Sequence, residues 1–453
     1  MRHNPSMKNK LQNTRHGGFT LVEMLVATGV LVLILTMTLQ ITNYANNLFL
    51  STRKRIDTFQ EARAGFEVMT RKISQATLNT YWDYANGTVG TGTGAPRPSP
   101  DANYANYGTV SGTWSPTQYL RNSFLHFVAG QASVTTSGTG NTIIVTSADT
   151  TSPLVKMVGQ AIFFQAPIGY SDTASNSVMP NMLNTCGYFL EYSSDNPDRP
   201  AFLTGTEAGV ATGGSDALAV KFRFRLKELN ISSEYMYVYS YVNNNQSKFG
   251  SPPLTRSLNW WYNNLITLKD SGYNTLKYPP TTGTAFNPKY TLSQNVIALV
   301  ILPRRSPNYP VATGAPIELA PSYYYDSRSW DLPLSLTTPL SVATRNQLPP
   351  QVMVTMVAID EASAARLQTQ AATPSTMPTF SDSGASNPAL PGGLYNASGV
   401  SQLFVQPSKT LGSGAYDQYP QDLSNLEQAL TNLHITYRVF STNVDILQSK
   451  FSD

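Results

Sequence analysis

The chain of 453 residues has little cysteine and little charge. Its single cysteine, Cys186, excludes an intramolecular disulfide, so the folded part depends on its own hydrophobic core for stability. We expect this thiol to be buried and inert, since it precedes an apolar run. Charged residues make up 13% of the chain, against the roughly 25% that is usual for globular domains. A polar surface with so little charge suits an exported protein that associates with others.

The sequence also lacks the short motifs of common catalytic and metal sites. It contains no His-Glu-x-x-His, no Gly-x-Ser-x-Gly, no phosphate-binding loop and no cysteine pair. His126 and His434 lie beside apolar residues in predicted strands, where a structural histidine is commoner than a ligand. Helix capping explains the acidic pair Asp360-Glu361 as well as catalysis does, and no acidic spacing matches a calcium loop. We therefore expect no enzyme activity, no metal ion and no cofactor.

The basic character of the chain is confined to its N-terminus. The formal net charge is +4, and residues 1–18 hold four basic residues and no acidic one. The chain after Gly18 is thus formally neutral, which gives no basis for nucleic-acid binding. One segment, 221–227, carries a basic face opposite an apolar one. We expect that basic face to be the solvent side of an amphipathic strand or, less often, a contact for an acidic partner.

An apolar stretch follows this basic leader. From Phe19 to Leu39 the only ionisable side chain is Glu23, and about 20 apolar residues suffice for a helix to cross a ~30 Å hydrocarbon core. The basic leader predicts that residues 1–18 stay in the cytoplasm while the rest of the chain crosses the membrane. A charge inside a span is costly and usually functional, so Glu23 is a candidate site. The alternatives are a plain uncleaved anchor and a secretory signal peptide, although a secretory cleavage site would follow the apolar region.

The segment Gly18-Phe19-Thr20-Leu21-Val22-Glu23 and its apolar continuation resemble the class III signal of type IV pilin-like proteins, which include the pseudopilins of type II secretion. The resemblance implies that a prepilin peptidase cuts between Gly18 and Phe19 and methylates the new amine of Phe19. It also implies that Glu23 meets the terminal amine of a neighbouring subunit during filament assembly. The implied partners are the peptidase, other pilin-like subunits of the same filament and the inner membrane. No proline interrupts this span, so a proline-dependent kink is not expected.

The chemistry of the junction supports the same roles without the resemblance. A carboxylate in hydrocarbon is unfavourable unless it is paired, and so is an ammonium group. Cleavage would create the Phe19 ammonium, with which Glu23 of another subunit could pair. Such pairing would favour one axial register during filament growth, while packing of the apolar helices adds adhesion.

Beyond the span, apolar or small residues recur at intervals of three or four, as in an amphipathic helix. They are Ile41, Ala45, Leu48, Ile56, Phe59, Ala62, Phe66, Met69, Ile73 and Ala76. The pattern predicts one helix from Thr20 to Leu78, with residues 19–40 in the membrane and residues 41–80 packed on a folded head. A solvated linker or a coiled-coil stalk is the alternative for the second half, and the aromatic rings of Phe59 and Phe66 favour docking on the head.

The remaining sequence predicts an α+β fold: the long helix, a Gly/Thr/Pro-rich loop at 81–118, and a large β-rich, pilin-like head at 119–453 with long polar loops. The longest loops are expected at 168–184, 243–295 and 370–420. The predicted strands are Thr142–Thr146, Val155–Gln165, Gly187–Tyr192, Ala217–Lys227, Tyr235–Val242, Val296–Leu302, Gln351–Ile359 and His434–Phe440. The predicted short helices are Glu361–Gln368 and Asp422–Leu433, the latter with an Asp422 cap.

Two further likenesses lie in the head. The strand entry Leu348-Pro349-Pro350 and the Phe222-Arg223-Phe224 strand look like those of J-type minor pseudopilins, and residues 435–442 are similar to the ending of the Verru_Chthon cassette protein C group. The resemblance implies a minor pilin or pseudopilin that is anchored in the inner membrane with its head outside the cytoplasm. It would then enter a periplasmic or surface filament of the type II secretion or type IV pilus kind.

The alternative function is a pilin-anchored adhesin or a carbohydrate- or surface-binding module. Two aromatic runs would serve such a module, Trp260-Trp261-Tyr262 and Tyr323-Tyr324-Tyr325. Exposure of these runs would favour the binding module, and burial of both would favour the structural subunit.

Overall fold

The structure is a computed structural model, and it describes much of the chain in separate ranges. These are residues 20–86, 97–98, 118–123, 125–133, 142–145, 156–171, 179–195, 199, 220–233, 289–306, 319–320, 323–327, 331–332, 342–344, 346–371, 376–396, 399–405 and 418–451. The chain divides into two units, Met1–Lys54 and Arg55–Asp453. The coarse prediction of a long apolar helix followed by an antiparallel, sheet-rich α+β region is confirmed.

Helix α1 spans Leu21–Ser74 and, with 54 residues, is about 80 Å long at 1.5 Å per residue. An 18-residue window of mean hydropathy 2.2 makes it long and apolar enough to cross a membrane. The helix ends four residues earlier than predicted. The N–H groups of Gln75 and Ala76 bond three residues back in tighter turns, and Thr77 N–H then donates to the carbonyl of Gln165. The chain therefore leaves the helix where it meets a strand.

Among the described residues, the largest sheet has seven strands. They are β4 (Val128–Ser133), β5 (Thr142–Val145), β6 (Lys156–Pro167), β7 (Leu183–Ser194), β8 (Phe222–Ile231), β9 (Lys289–Gln294) and β11 (Tyr325–Asp326). The order is β11-β4-β6-β7-β8-β9, with β5 beside β4. All these pairs are antiparallel except the parallel pair β4–β5.

A second sheet of order β10-β14-β15 comprises β10 (Val296–Arg304), β14 (Gln351–Ile359) and β15 (Tyr437–Asp445). Strand β10 packs across β6, β7 and β8 of the large sheet. The continuous apolar runs of β10 and β14 are buried on both faces, as such runs predict. Two small sheets complete the described strands: β1 (Tyr81–Asn86) lies between β2 (Arg97–Pro98) and β3 (Gln118–Asn122), and β12 (Asp331–Leu332) pairs with β13 (Val342–Ala343).

Two short helices lie near the second sheet in sequence, α2 (Glu361–Gln370) and α3 (Tyr419–Asn432). Asp360 is the N-cap of α2, and its carboxylate accepts the N–H of Ser363 at 3.0 Å. The predicted Asp422 cap of α3 is wrong. The N-cap is Gln418, with proline in the first turn, and Asp422 instead accepts the N–H of Phe404 from within the helix.

The basic face predicted at 221–227 is not a solvent face. Arg223, Arg225 and Lys227 are buried, and only Lys221 is exposed. Strand β8 lies inside the large sheet between β7 and β9, and both of its faces are covered. The guanidinium of Arg225 is held by the carbonyls of Ser193 and Ser194, so a polar strand face is buried through hydrogen bonds.

Two of the predicted loops contain strands. Strand β9 falls within the predicted loop 243–295, and β1 and β2 fall within 81–118. Residues 376–396 and 399–405 have almost no regular secondary structure, yet they pack on the core through Phe380, Leu394 and Tyr395. Backbone groups of Ala389 and Leu390 are held by the Asp382 carboxylate, which explains how an aperiodic segment stays folded. The predicted strand Tyr235–Val242 lies outside the described residues.

Candidate functional site

The start of α1 is closed by a reciprocal cap. The N–H and hydroxyl of Thr20 both donate to Glu23 Oε2 at 3.0 Å, and the N–H of Glu23 donates to Thr20 Oγ1 at 3.2 Å. This is the capping box of a Thr-x-x-Glu sequence, which satisfies N–H groups that have no partner within the helix. Gly18 and Phe19 lie outside the described residues. Their predicted cleavage and methylation, and the assembly role of Glu23, stay predictions.

The first part of α1 exposes nearly all of its large apolar side chains. They are Leu21, Val22, Met24, Leu25, Val26, Val30, Leu31, Val32, Leu33, Ile34, Leu35, Met37, Leu39, Ile41, Tyr44, Leu48, Phe49 and Leu50, each at least 52% exposed. An apolar surface of this extent requires lipid or another protein to cover it. The threonine hydroxyls at 28, 36, 38 and 42 donate to carbonyls of the preceding turn, so they add no unmet polar groups.

The last five turns of α1, which belong to the second unit, dock on the β-rich structure through an apolar stripe. Ala62, Phe66, Met69 and Ile73 are buried, and the ring of Phe66 packs on Phe440 of β15 at 5.9 Å between centroids. These contacts begin at Phe59, and residues 41–57 are exposed, so the packing of the whole segment 41–80 on the head stays a prediction.

An ion pair whose side chains are 17% and 9% exposed fastens the end of this helix to the large sheet. Lys72 Nζ lies 2.5 Å from Glu228 Oε1 on β8, and Tyr188 on β7 donates its hydroxyl to the same oxygen at 2.8 Å. Burial, together with the neighbouring Glu228 charge, raises the pKa of Tyr188 well above its usual value. Cys186 lies on the same strand as Tyr188, and burial raises the pKa of its thiol, which keeps it unreactive.

A second polar cluster holds the middle of the helix. Arg55 Nε donates to Asp360 Oδ2 at 3.2 Å, so the cap of α2 also binds α1. The neighbouring Glu361 accepts from Arg223 at 2.8 Å and from Asn295 at 2.8 Å. Burial opposes ionisation of Glu361, but these two donors outweigh it and hold its pKa below the ordinary value. The acidic pair thus has a structural role in capping and in joining elements.

The aromatic and histidine candidates of the head have structural environments. Tyr323 and Tyr325 are buried, Tyr324 is partly buried, and Tyr325 donates its hydroxyl to the carbonyl of Gln347. This run is therefore part of the core, while Trp260-Trp261-Tyr262 lies outside the described residues. Nδ1 of His126 lies 3.5 Å from the hydroxyl oxygen of Ser327. His434 is exposed and lies just after α3.

Within the described ranges, no group of three or more His, Cys, Asp or Glu residues is arranged to hold a metal ion. Comparison with known proteins identified no matching family model, no similar curated protein and no similar solved structure.

Sequence reasoning missed the polar contacts that fasten α1. Lys72 and Glu228 are 156 positions apart, and nothing in the local pattern of either residue indicates the other. The one available signal was a general one: a charged side chain on an element that enters the core needs a partner.

Proposed function

We propose that this protein is a minor pilin- or pseudopilin-like structural subunit. A prepilin peptidase removes residues 1–18, Phe19 becomes the methylated terminus, and the subunit enters a filament of the type II secretion or type IV pilus kind. The observation that carries the proposal is the Gly18-Phe19 junction, with one carboxylate, Glu23, at the fifth position of an exposed apolar helix.

The extent of the apolar surface supports assembly over a plain anchor. A membrane span needs about 20 residues, which Leu21–Gln40 supplies. Exposed apolar side chains continue through Ile41, Tyr44 and Leu48–Leu50, a further ten residues or about 15 Å. A simple anchor has no need of such side chains beyond the hydrocarbon, whereas helices that pack together along a filament would cover them.

The capping box bears on how Glu23 would act. In the precursor its carboxylate accepts from Thr20, which lowers the cost of carrying a charge at the end of an apolar helix. Cleavage would place the Phe19 ammonium one residue from Thr20. The ammonium of an incoming subunit would then find an acceptor that is already oriented, and pairing of the two charges would favour a single axial register.

In this proposal the protein sits in the inner membrane with its head outside the cytoplasm, and its work is docking and not catalysis. The buried Tyr323 and Tyr325 remove one of the two aromatic runs on which a separate binding module would depend. The ion pair of Lys72 with Glu228 joins the last turns of α1 to the large sheet.

Site-specific photocross-linking in the native cell tests this proposal. A benzophenone amino acid replaces Leu48, which is 56% exposed, and the same label replaces Met179, a 55% exposed residue of the second unit, as the matched control. We expect the label at Leu48 to form adducts with proteins that carry their own Gly-Phe-x-x-x-Glu signal, and the Met179 label to form them weakly. Adducts of the Leu48 label with lipid alone would contradict assembly.

A further inference from the structure

A cleft lies where the chain leaves α1 and where its C-terminal segment returns. Its volume is about 350 Å³, within the range of small-molecule sites, and its walls come from residues 77–80, 121, 346–348, 447–448 and 450. All of these residues belong to the second unit. No carboxylate occurs among the described residues that line it, although the cleft contains two cationic side chains, Arg121 and Lys450.

The walls of this cleft are tied together by hydrogen bonds. The hydroxyl of Ser123 donates to the carbonyls of Leu78 and Leu125, and Asn346 Nδ2 donates to the carbonyl of Arg121 at 2.9 Å. Asn79 and Asn346 both adopt positive φ angles, of 47° and 54°. Asparagine tolerates this conformation better than most residues, and such backbone often occurs at functional sites. The cleft is therefore a preformed feature of the fold.

The cleft offers an excess of hydrogen-bond donors. Arg121 NH1 donates to Gln347 Oε1 at 3.2 Å and to the carbonyl of Lys450 at 3.0 Å, which leaves the other guanidinium nitrogens available. Within the part of the chain that the structure describes, neither Arg121 nor Lys450 has an acidic partner. Gln448 accepts from the Thr77 hydroxyl through Oε1, so its amide NH₂ group is also open to a ligand. A guanidinium and an ammonium at one cleft favour an anionic group, such as a carboxylate.

The rest of the lining indicates the molecule that carries this carboxylate. Asn79, Gln448 and the hydroxyl of Thr80 both donate and accept, as the hydroxyls of a sugar require, whereas a simple anion only accepts. Exposed aromatic rings follow the cleft wall directly, Tyr81 at 38% and Trp82 at 55% exposure. Arg121 lies over the Trp82 ring at 5.5 Å because β1 and β3 pair these two residues.

From these observations we propose that the cleft binds an acidic sugar, a pyranose with a ring carboxylate, as found in polyuronates. Arg121 and Lys450 hold the carboxylate, the amides of Asn79 and Gln448 hold ring hydroxyls, and Tyr81 and Trp82 border the neighbouring sugar. The site needs no second subunit to complete it, because every residue in it belongs to one chain.

Calorimetric titration of the full-length chain in detergent micelles tests the site. The ligands are trigalacturonate, its methyl ester and hexaglutamate. We expect the free acid to bind at least about tenfold more tightly than the ester, since charge-assisted hydrogen bonds to the carboxylate are lost on esterification. Equal binding of acid and ester, absence of binding at millimolar ligand, or tighter binding of hexaglutamate would overturn the proposal, the last outcome indicating an acidic protein partner instead.

Variants locate the binding in this cleft. Arg121→Gln should weaken trigalacturonate about tenfold, and Lys450→Gln, at an exposed residue, about threefold. Lys221→Gln replaces an exposed lysine outside the cleft and should leave binding unchanged. If Arg121→Gln alters the circular dichroism spectrum, Lys450→Gln decides the result. Wild-type affinity of a folded Lys450→Gln protein would overturn the assignment, while filament incorporation, measured separately, tests the subunit role alone.

Discussion

Thr20 and Glu23 cap each other at the first turn of α1, with Thr20 N–H and Oγ1 donating to Glu23 Oε2 at 3.0 Å and Glu23 N–H donating to Thr20 Oγ1 at 3.2 Å. The relationship separates two roles of one glutamate. A helix cap needs only an acceptor oxygen, and glutamine supplies one as well as glutamate does. Pairing with the ammonium of another subunit needs the negative charge.

Glu23→Gln therefore distinguishes a cap from an assembly site. We expect the variant to be cleaved like the wild type and to keep α1 intact, but to enter filaments several-fold less, because an ammonium in hydrocarbon is left without its counter-charge. Leader cleavage is followed by gel mobility, and incorporation by the fraction that co-sediments with sheared filaments. Thr20→Ala is the matched control, since it removes the cap at about 1 kcal/mol and keeps the charge. If Glu23→Gln enters filaments at the wild-type level, Glu23 serves only as a helix cap and not as an assembly site.

The Lys72–Glu228 pair predicts how strongly α1 is fastened to the sheet. Lys72→Ala should lower the free energy of unfolding by about 3 kcal/mol, because it leaves Glu228 charged and buried. Lys72→Met combined with Glu228→Gln should recover most of this loss, since the glutamine still accepts from Tyr188. Denaturant titration in detergent measures the free energy of unfolding of the wild type, of Lys72→Ala and of the double variant.

The exposed pair Arg63–Glu67 is the control for that series. Its side chains are 72% and 64% exposed, so Arg63→Ala should change the free energy of unfolding by less than about 0.5 kcal/mol. An equal loss for Lys72→Ala and Arg63→Ala would show that the buried pair does not fasten the helix.

The environment of Glu361 predicts that this residue contributes to the loss of folding stability at acidic pH. Burial opposes its ionisation, but the donors Arg223 and Asn295 outweigh burial and lower its folded pKa below the unfolded value of 4.5. A lowered folded pKa adds stability above pH 4.5 that is lost as the pH falls through the folded pKa. Glu361→Gln should therefore flatten the dependence of the unfolding free energy on pH below 4.5.

Thermal unfolding followed by circular dichroism between pH 3 and pH 7 measures this slope. Asp57→Asn, at an exposed acidic residue of α1, is the control for the removal of one carboxylate. If Glu361→Gln gives the same slope as Asp57→Asn, the contacts with Arg223 and Asn295 do not set the pKa of Glu361.

The sequence pattern predicted the elements that depend mainly on their own local residues. Strand β14 has the predicted bounds, Gln351–Ile359, because a continuous apolar run flanked by proline and by a helix cap has few other structures available. The docking stripe of α1 was predicted for the same reason, since Phe66, Met69 and Ile73 share one face at helical spacing. Glu23 was found because a single charge in an apolar run is conspicuous.

Other features depend on tertiary context that a local pattern does not contain. The alternation of β8 predicted a solvent face, but Arg223 and Arg225 are buried because their guanidinium groups donate hydrogen bonds to residues distant in the sequence. The predicted start of α3 was wrong. Aspartate is a common N-cap residue, which favoured Asp422, but the helix begins earlier, with a proline in its first turn. The cleft around Arg121 joins four separate stretches of chain, so no motif could have indicated it.

The identity of the mature N-terminus tests the central claim most directly. Intact-mass and N-terminal peptide mass spectrometry of the protein isolated from its native membrane should find a chain that starts at Phe19, with one methyl group on its amine. A chain that retains residues 1–18, or that starts after the apolar stretch at a position beyond Leu39, would contradict the account of a processed filament subunit.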